Sequence, residues 1–160
     1  MKLMRICLLL LSCALLFLCS CRGTAYRDDV SCDELCEIFE ELSPLELSEY
    51  DSDYISLVIN DISICDDCCI IYSDDAANID EFGVFHAKNN ADTQKLYEAV
   101  SEYVSELKDG QRTFIMSYAP DEIPKLDGAR IERFGNYIVY SIADTKTANK
   151  TISAIANALA

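Results

Sequence analysis

Cysteine is the residue type in this sequence with the clearest capacity for chemistry. Five of its nine cysteines lie between residues 32 and 69, in a Cys-x₃-Cys group followed by a Cys-x₂-Cys-Cys group: Cys32, Cys36, Cys65, Cys68 and Cys69. Thiolates in two such groups are typical ligands of tetrahedral zinc. A Cys-x-x-Cys pair such as Cys65 and Cys68 is also typical of thiol redox proteins. The third interpretation, structural disulfides or buried unreactive thiols, is favoured because Cys32 and Cys36 fall on a predicted helix and because two aspartates inside the Cys-x-x-Cys would raise its thiol pKa.

If these cysteines oxidise, the predicted pairing joins Cys32 and Cys36 to the 65–69 segment and not to each other. Residues four apart on a helix have Cβ atoms about 5–6 Å apart, whereas a disulfide needs roughly 3.5–4.5 Å. In an extended strand Cys65 and Cys69 share a face and Cys68 points away. Cys68 is therefore the expected free thiol.

Histidine and the acidic residues, the other residue types that could carry out chemistry, do not indicate an enzyme. The single histidine, His86, would have to serve any Ser-His-Asp or Cys-His mechanism, but it lies in an apolar stretch without a G-x-S-x-G or H-E-x-x-H motif. The densest acidic segment, residues 74–81, lacks the central glycine and the spacing of a calcium loop, so we expect a solvated surface. A carboxylate-pair hydrolase of the cell wall is disfavoured by the absence of tryptophan. No cofactor is predicted.

Net charge restricts the partners. The chain has 28 acidic and 13 basic side chains among 160 residues, for a net charge of −15. Nucleic acid is excluded as a partner because phosphate binding requires a surface of lysine and arginine. The length fits one domain.

The N-terminus predicts an export signal over residues 1–20. Two basic residues precede the apolar run Ile6–Leu18, which is too short to span a membrane, since a spanning helix needs about 20 apolar residues. The following Leu-Cys-Ser-Cys resembles a bacterial lipobox, which implies diacylglyceryl attachment to the thiol of Cys21. Two acyl chains suffice for stable anchoring. Residues 21–30 are the expected tether, and the predicted location is the extracytoplasmic face of the cell membrane.

Residues 31–160 are predicted to form one α+β domain, an antiparallel sheet of four to five strands with helices packed mainly on one face. A capping box at Ser31–Glu34, an N-cap at Asn90 and a helix end at Gly110 mark helix boundaries. A two-residue hairpin is expected at Gly135-Asn136. The predicted helices are 32–43, 92–108 and 145–159, with a short helix after Pro120; the predicted strands are 55–64 and 69–72, separated by a turn at 66–67, and 82–87, 129–134 and 137–143.

Three segments carry a resemblance to a known family: Asp80–Lys88, the Ser-Tyr-Ala-Pro-Asp at 117–121, and Phe134–Asp144. Together they resemble the DUF4358 family, over roughly residues 31–159. The resemblance implies a small lipoprotein of a Gram-positive bacterium and transfers no catalytic residue. The cysteines between 32 and 69 depart from the family pattern.

The sequence therefore predicts a membrane-anchored extracytoplasmic lipoprotein with a small, non-enzymatic binding or assembly domain. Its expected partners are the membrane, through the lipid, and an envelope protein or the cell wall. The alternative is a cysteine-dependent metal-binding or thiol-redox envelope protein.

Overall fold

The structure, a computed structural model, describes residues 26–160. A five-stranded sheet is its centre, with strand order β1-β2-β3-β5-β4 and every neighbouring pair antiparallel. The predicted α+β class is confirmed. The elements in chain order are α1 (Cys32–Leu42), β1 (Leu47–Glu49), α2 (Ser52–Val58), a 3₁₀ turn (Ile62–Ile64), β2 (Cys65–Ser73), β3 (Glu81–Ala87), α3 (Thr93–Tyr118), a 3₁₀ turn (Pro120–Glu122), α4 (Ile123–Asp127), β4 (Arg130–Phe134), β5 (Tyr137–Ile142) and α5 (Thr145–Ala158).

Helices cover both faces of the sheet, and not mainly one as the sequence suggested. Helices α1 and α5 pack with Cys69, Val84 and Val139 on one face, which we call the α1 face. Helices α2 and α3 pack on the opposite face, the α3 face, with Ile70 and Phe85. The reason is that β5 is apolar on both sides, and all six of its residues are buried. Such strands need cover on both faces.

The stretch 55–64, predicted to be a strand, forms α2 and a 3₁₀ turn instead. Its β-branched residues favour a strand, but the side chain of Asp51 caps the helix by accepting from the backbone N–H of Tyr54 at 2.7 Å. The cap satisfies a donor that a short helix would otherwise leave free. The predicted turn at 66–67 is also wrong, because β2 runs through it with a β-bulge between Cys65 and Asp67.

Helix α3 has 26 residues and continues eight residues beyond Gly110, where the sequence predicted its end. A glycine inside a helix costs only about 1 kcal/mol, and the continuation buries Ile115. The N-cap is Asp92 and not Asn90. The helix at 32–43 is confirmed with its Ser31 cap, as are the hairpin and the C-terminal helix.

Residues 26–30 pack against the domain, although the sequence assigned them to a tether. The Tyr137 hydroxyl donates to the carbonyl of Val30 at 2.7 Å and accepts from its N–H at 3.1 Å. The N–H of Arg27 donates to the carbonyl of Leu159 at 2.7 Å. The signal segment 1–20 and Cys21 lie outside the described residues. Between residues 26 and 160, no helix has the length and apolarity to cross a membrane.

Candidate functional site

The β-bulge in β2 decides where the cysteines point. Cys65 pairs with Ala87 and Cys68 with Phe85, so both occupy the α3 face, whereas Cys69 pairs with Val84 and occupies the α1 face. The expectation that Cys65 and Cys69 share a face is therefore wrong. The extra residue at the bulge reverses the face of the sheet to which each later side chain in the strand points.

On the α1 face, the thiols of Cys36 and Cys69 are hydrogen-bonded to each other, and both residues are 2% exposed. Burial raises the pKa of Cys36, so this thiol is protonated near neutral pH. Cys32 is fully buried beside them, and its backbone N–H donates to Asp67 Oδ2 at 2.7 Å. That bond fixes the first turn of α1 on β2.

On the α3 face, the Cys65 thiol lies 2.9 Å from the carbonyl oxygen of Asp67 and 3.1 Å from that of His86. It also hydrogen-bonds to Cys68, which raises the pKa of Cys65 and lowers that of Cys68. The pair lies within a strand and not at a helix N-terminus, where redox Cys-x-x-Cys motifs are activated. All five cysteines are free thiols.

His86 connects the N-terminal segment to the sheet. Its Nδ1 lies 2.7 Å from Asp66 and its Nε2 lies 2.8 Å from Asp28. Burial opposes the charged form, but hydrogen bonds to the two aspartates raise the pKa of His86 above its ordinary value. When the ring is protonated, both ring nitrogens donate to carboxylates, and His86 is then a cationic link between two segments.

The acidic loop at 74–81 does not converge on one point. Asp74 accepts from the hydroxyl of Ser48 at 2.5 Å. Asp75 accepts from the backbone of its own turn. Asp80 forms an ion pair with Lys125 at 2.5 Å. Because each carboxylate has a different partner, the loop is not arranged as a calcium site.

Glu81 is the functional candidate that sequence reasoning missed. It is 7% exposed at the start of β3, and its Oε1 accepts from the hydroxyls of Tyr140 at 2.6 Å and Tyr103 at 2.9 Å. Burial raises the pKa of Glu81, and the two hydrogen bonds work against that rise. The signal in the sequence was an acid that opens an apolar strand, where a buried carboxyl needs dedicated partners.

A cavity of about 120 Å³ opens beside Glu81 on the α3 face. Tyr50 and Tyr72 form part of its wall, with their rings stacked at 4.0 Å. The side chains that line it come from the segment after β1, from β2, the loop before β3, β3, α3, α4 and β5: Tyr50, Tyr72, Ser73, Asn78, Ile79, Asp80, Glu81, Leu107, Gln111, Ile115, Leu126 and Ile142. A cavity that combines aromatic and apolar side chains with several converging polar groups is a candidate site for a small ligand.

A second group of converging side chains lies on the α1 face. One carboxylate oxygen each of Asp33 and Glu49 and the sulfur of Cys69 lie within 4.8 Å of one another. They line an open groove of about 280 Å³ between α1 and the edge of the sheet. No sequence pattern indicates the two acids, because α1 and β1 bring them together only in the fold.

Comparison with known proteins gives one match. The family described as Domain of unknown function (DUF4358) matches residues 59–143. No curated protein and no solved structure matches the chain. Every residue that lines the cavity, except Tyr50, lies inside the matched segment. Asp33, Cys36 and Glu49 lie outside it.

Proposed function

This chain belongs to the DUF4358 family, and we propose that it is a lipid-anchored extracytoplasmic protein whose domain binds a small cationic ligand at Glu81 without converting it. The function of the family's domain is unknown. The role of this chain is therefore argued from its own residues. The observation that carries the proposal is the buried carboxyl of Glu81 in the wall of the tyrosine-lined cavity.

The chemistry of the cavity favours a small organic ammonium ion. A carboxyl that is 7% exposed is costly to ionise, and a bound cation would offset that cost. The hydroxyl oxygens of tyrosines can accept hydrogen bonds from an ammonium group, and Tyr50 and Tyr72 lie in the same wall. Glu81 is held by Tyr103 and Tyr140, so the site is formed before the ligand arrives, which limits the entropy lost on binding.

Ligand binding is tested with two probes, ethylammonium and tetramethylammonium, added to the full chain in detergent. Only the first can donate hydrogen bonds to a carboxylate. We expect ethylammonium to raise the melting temperature of the wild type, and Glu81→Gln to abolish the rise because it keeps the shape and removes the charge. Glu132→Gln, at an exposed position of β4 outside the cavity lining, is the matched control. Equal responses of the wild type and Glu81→Gln would contradict the assignment of this site.

Anchoring is the second part of the proposal, and it is supported by the lipobox-like motif that ends at Cys21 behind a short apolar run. Replacing Cys21 by Ala should leave the chain unprocessed or move it from the membrane to the soluble fraction. The control is Cys19→Ala, which keeps a small residue two positions before Cys21. Membrane retention and normal processing of Cys21→Ala would disprove lipid anchoring.

A further inference from the structure

Three potential metal ligands from three separate elements converge at the groove on the α1 face. Asp33 comes from the first turn of α1, Glu49 from β1 and Cys69 from β2. We propose that this groove is a zinc site, with Asp33, Glu49 and Cys69 as ligands and Cys36 as the fourth. The site lies apart from the Glu81 cavity and does not depend on ligand binding there.

The surrounding contacts hold the ligands in place. Glu49 pairs with Ile71 in the sheet, and Cys69 lies two residues before Ile71, on the same face. The bond from the Cys32 N–H to Asp67 fixes the start of α1, next to Asp33. The stacking of Phe39 on Phe82, with ring centres 4.8 Å apart, holds the rest of the helix. Closing the site requires the two exposed carboxylate side chains to move, together with the Cys36 thiol, which lies outside the group of ligand atoms within 4.8 Å of one another.

For Asp33, Glu49 and Cys69 the movement needed is small. Zinc bonds of about 2.0–2.3 Å place tetrahedral ligands roughly 3.3–3.8 Å apart, whereas the three ligand atoms lie within 4.8 Å of one another. A closure of about 1 Å is within the reach of a rotamer change in an exposed aspartate or glutamate.

Cys36 supplies the fourth ligand. Its thiol hydrogen-bonds to that of Cys69 and faces the same groove, and it follows Asp33 by three residues on one side of the helix. Zinc displaces the thiol protons, so binding releases protons and weakens as the pH falls.

The types of ligand atom and the negative charge around the groove indicate which metal ion the site would bind. Thiolates with carboxylates suit zinc, whereas magnesium and calcium take oxygen ligands. Glu37 and Glu40 also line the groove. Four carboxylates at its walls create a negative potential that attracts a divalent cation.

The test compares two double variants of the full chain, purified in detergent with a non-thiol reductant. Asp33→Asn with Glu49→Gln removes two proposed ligands, and Glu37→Gln with Glu40→Gln removes the same charge from the same groove. Asp33 and Glu49 are exposed, as are Glu37 and Glu40, so both variants should fold. After exchange into zinc and removal of the excess, elemental analysis should find one zinc per chain in the wild type and in the control variant. The ligand variant should bind zinc at least about tenfold more weakly.

Alkylation gives an independent measurement. In mild urea, where local opening exposes these two buried thiols in the metal-free chain, bound zinc should protect Cys36 and Cys69 from iodoacetamide and leave Cys68, on the other face, as reactive as before. The proposal is overturned if the reduced wild type retains no stoichiometric zinc, or if both double variants lose zinc equally, because the attraction is then only electrostatic. Zinc that protects Cys65 and Cys68 instead would also overturn it.

Discussion

At the scale of single residues, the tightest packing surrounds Glu81. Gly83, two residues along β3, lets the ring of Tyr140 cross the strand and reach the Glu81 carboxyl. A Cβ at position 83 would lie 2.2 Å from Tyr140 Cε1. The absence of a side chain at Gly83 is therefore a condition for the hydrogen-bonded carboxyl in the cavity wall.

Gly83→Ala should destabilise the domain by about 1–3 kcal/mol, because the added methyl group forces Tyr140 to shift in a filled core. Gly110→Ala is the control, since a Cβ there meets nothing within 4 Å. In mid-helix this change should stabilise by about 0.5–1 kcal/mol. Urea unfolding measures both. A Gly83→Ala chain as stable as the wild type would show that Tyr140 has room to move.

His86 makes a pH-dependent contribution to stability. Its pKa is raised in the folded state, so its ion pairs contribute fully below the ordinary value of 6.5 and are lost as the pH rises through the folded pKa. The stability of the wild type relative to His86→Gln should therefore be greatest near pH 6 and decline at alkaline pH. We expect a difference of no more than about 1 kcal/mol, because Asp28 and Asp66 are about half exposed and solvent screens them. Urea midpoints across pH give the measurement; an advantage that grows with pH would contradict the assigned charge.

At the scale of elements, one β-bulge separates the thiols into two groups. Because of the extra residue in β2, Cys69 faces α1 while Cys65 and Cys68 face the opposite layer. The sequence-based choice of Cys68 as the odd thiol assumed regular alternation along the strand. With the bulge, Cys32 becomes the cysteine whose thiol pairs with no other, since Cys36 bonds to Cys69 and Cys65 to Cys68.

Oxidation of the zinc-free chain with diamide should therefore form a Cys36–Cys69 disulfide and leave Cys32 unpaired. The expected bond crosses from α1 to β2, where the two thiols are already hydrogen-bonded. Mapping of unreduced peptides after alkylation identifies the pairs, and Cys69→Ser is the control in which Cys36 should stay free. A peptide that joins Cys32 to Cys36 would contradict this arrangement.

At the scale of the whole molecule, the helices on the α1 face and those on the α3 face pack against the same sheet. Helix α5 completes the α1 layer, and Ile155 and Leu159 are fully buried there. The carbonyl of Leu159 also holds the N-terminal segment through Arg27. Removing α5 would expose β5 on the α1 face, whereas the helices on the α3 face would still cover its other side.

Deleting residues 145–160 should abolish cooperative unfolding. Two fully buried aliphatic side chains contribute about 1.5–3 kcal/mol each, and a domain has only about 5–15 kcal/mol of net stability. The thermal transition and the dispersion of amide resonances measure the loss. Deletion of the exposed Ala160 alone is the control. A sharp transition in the long deletion would show that α5 is peripheral to the fold.

The sequence by itself determined the elements whose signals are local. The Ser31 cap predicted the start of α1, the Gly135-Asn136 pair predicted the hairpin, and the spacing of apolar residues predicted α5. The α+β class followed from the same periodic patterns. These features depend on side chains a few residues apart, which the sequence displays directly.

Only the tertiary structure decided which residues meet. Asp33, Glu49 and Cys69 converge because a helix lies across a sheet edge, and the Glu81 carboxyl is partnered because Tyr103 and Tyr140 reach it from α3 and β5. The register of β2 depended on a bulge that pairing with β3 reveals. Contacts between residues distant in the sequence follow from packing and strand register, and these are properties of the folded chain rather than of any short segment.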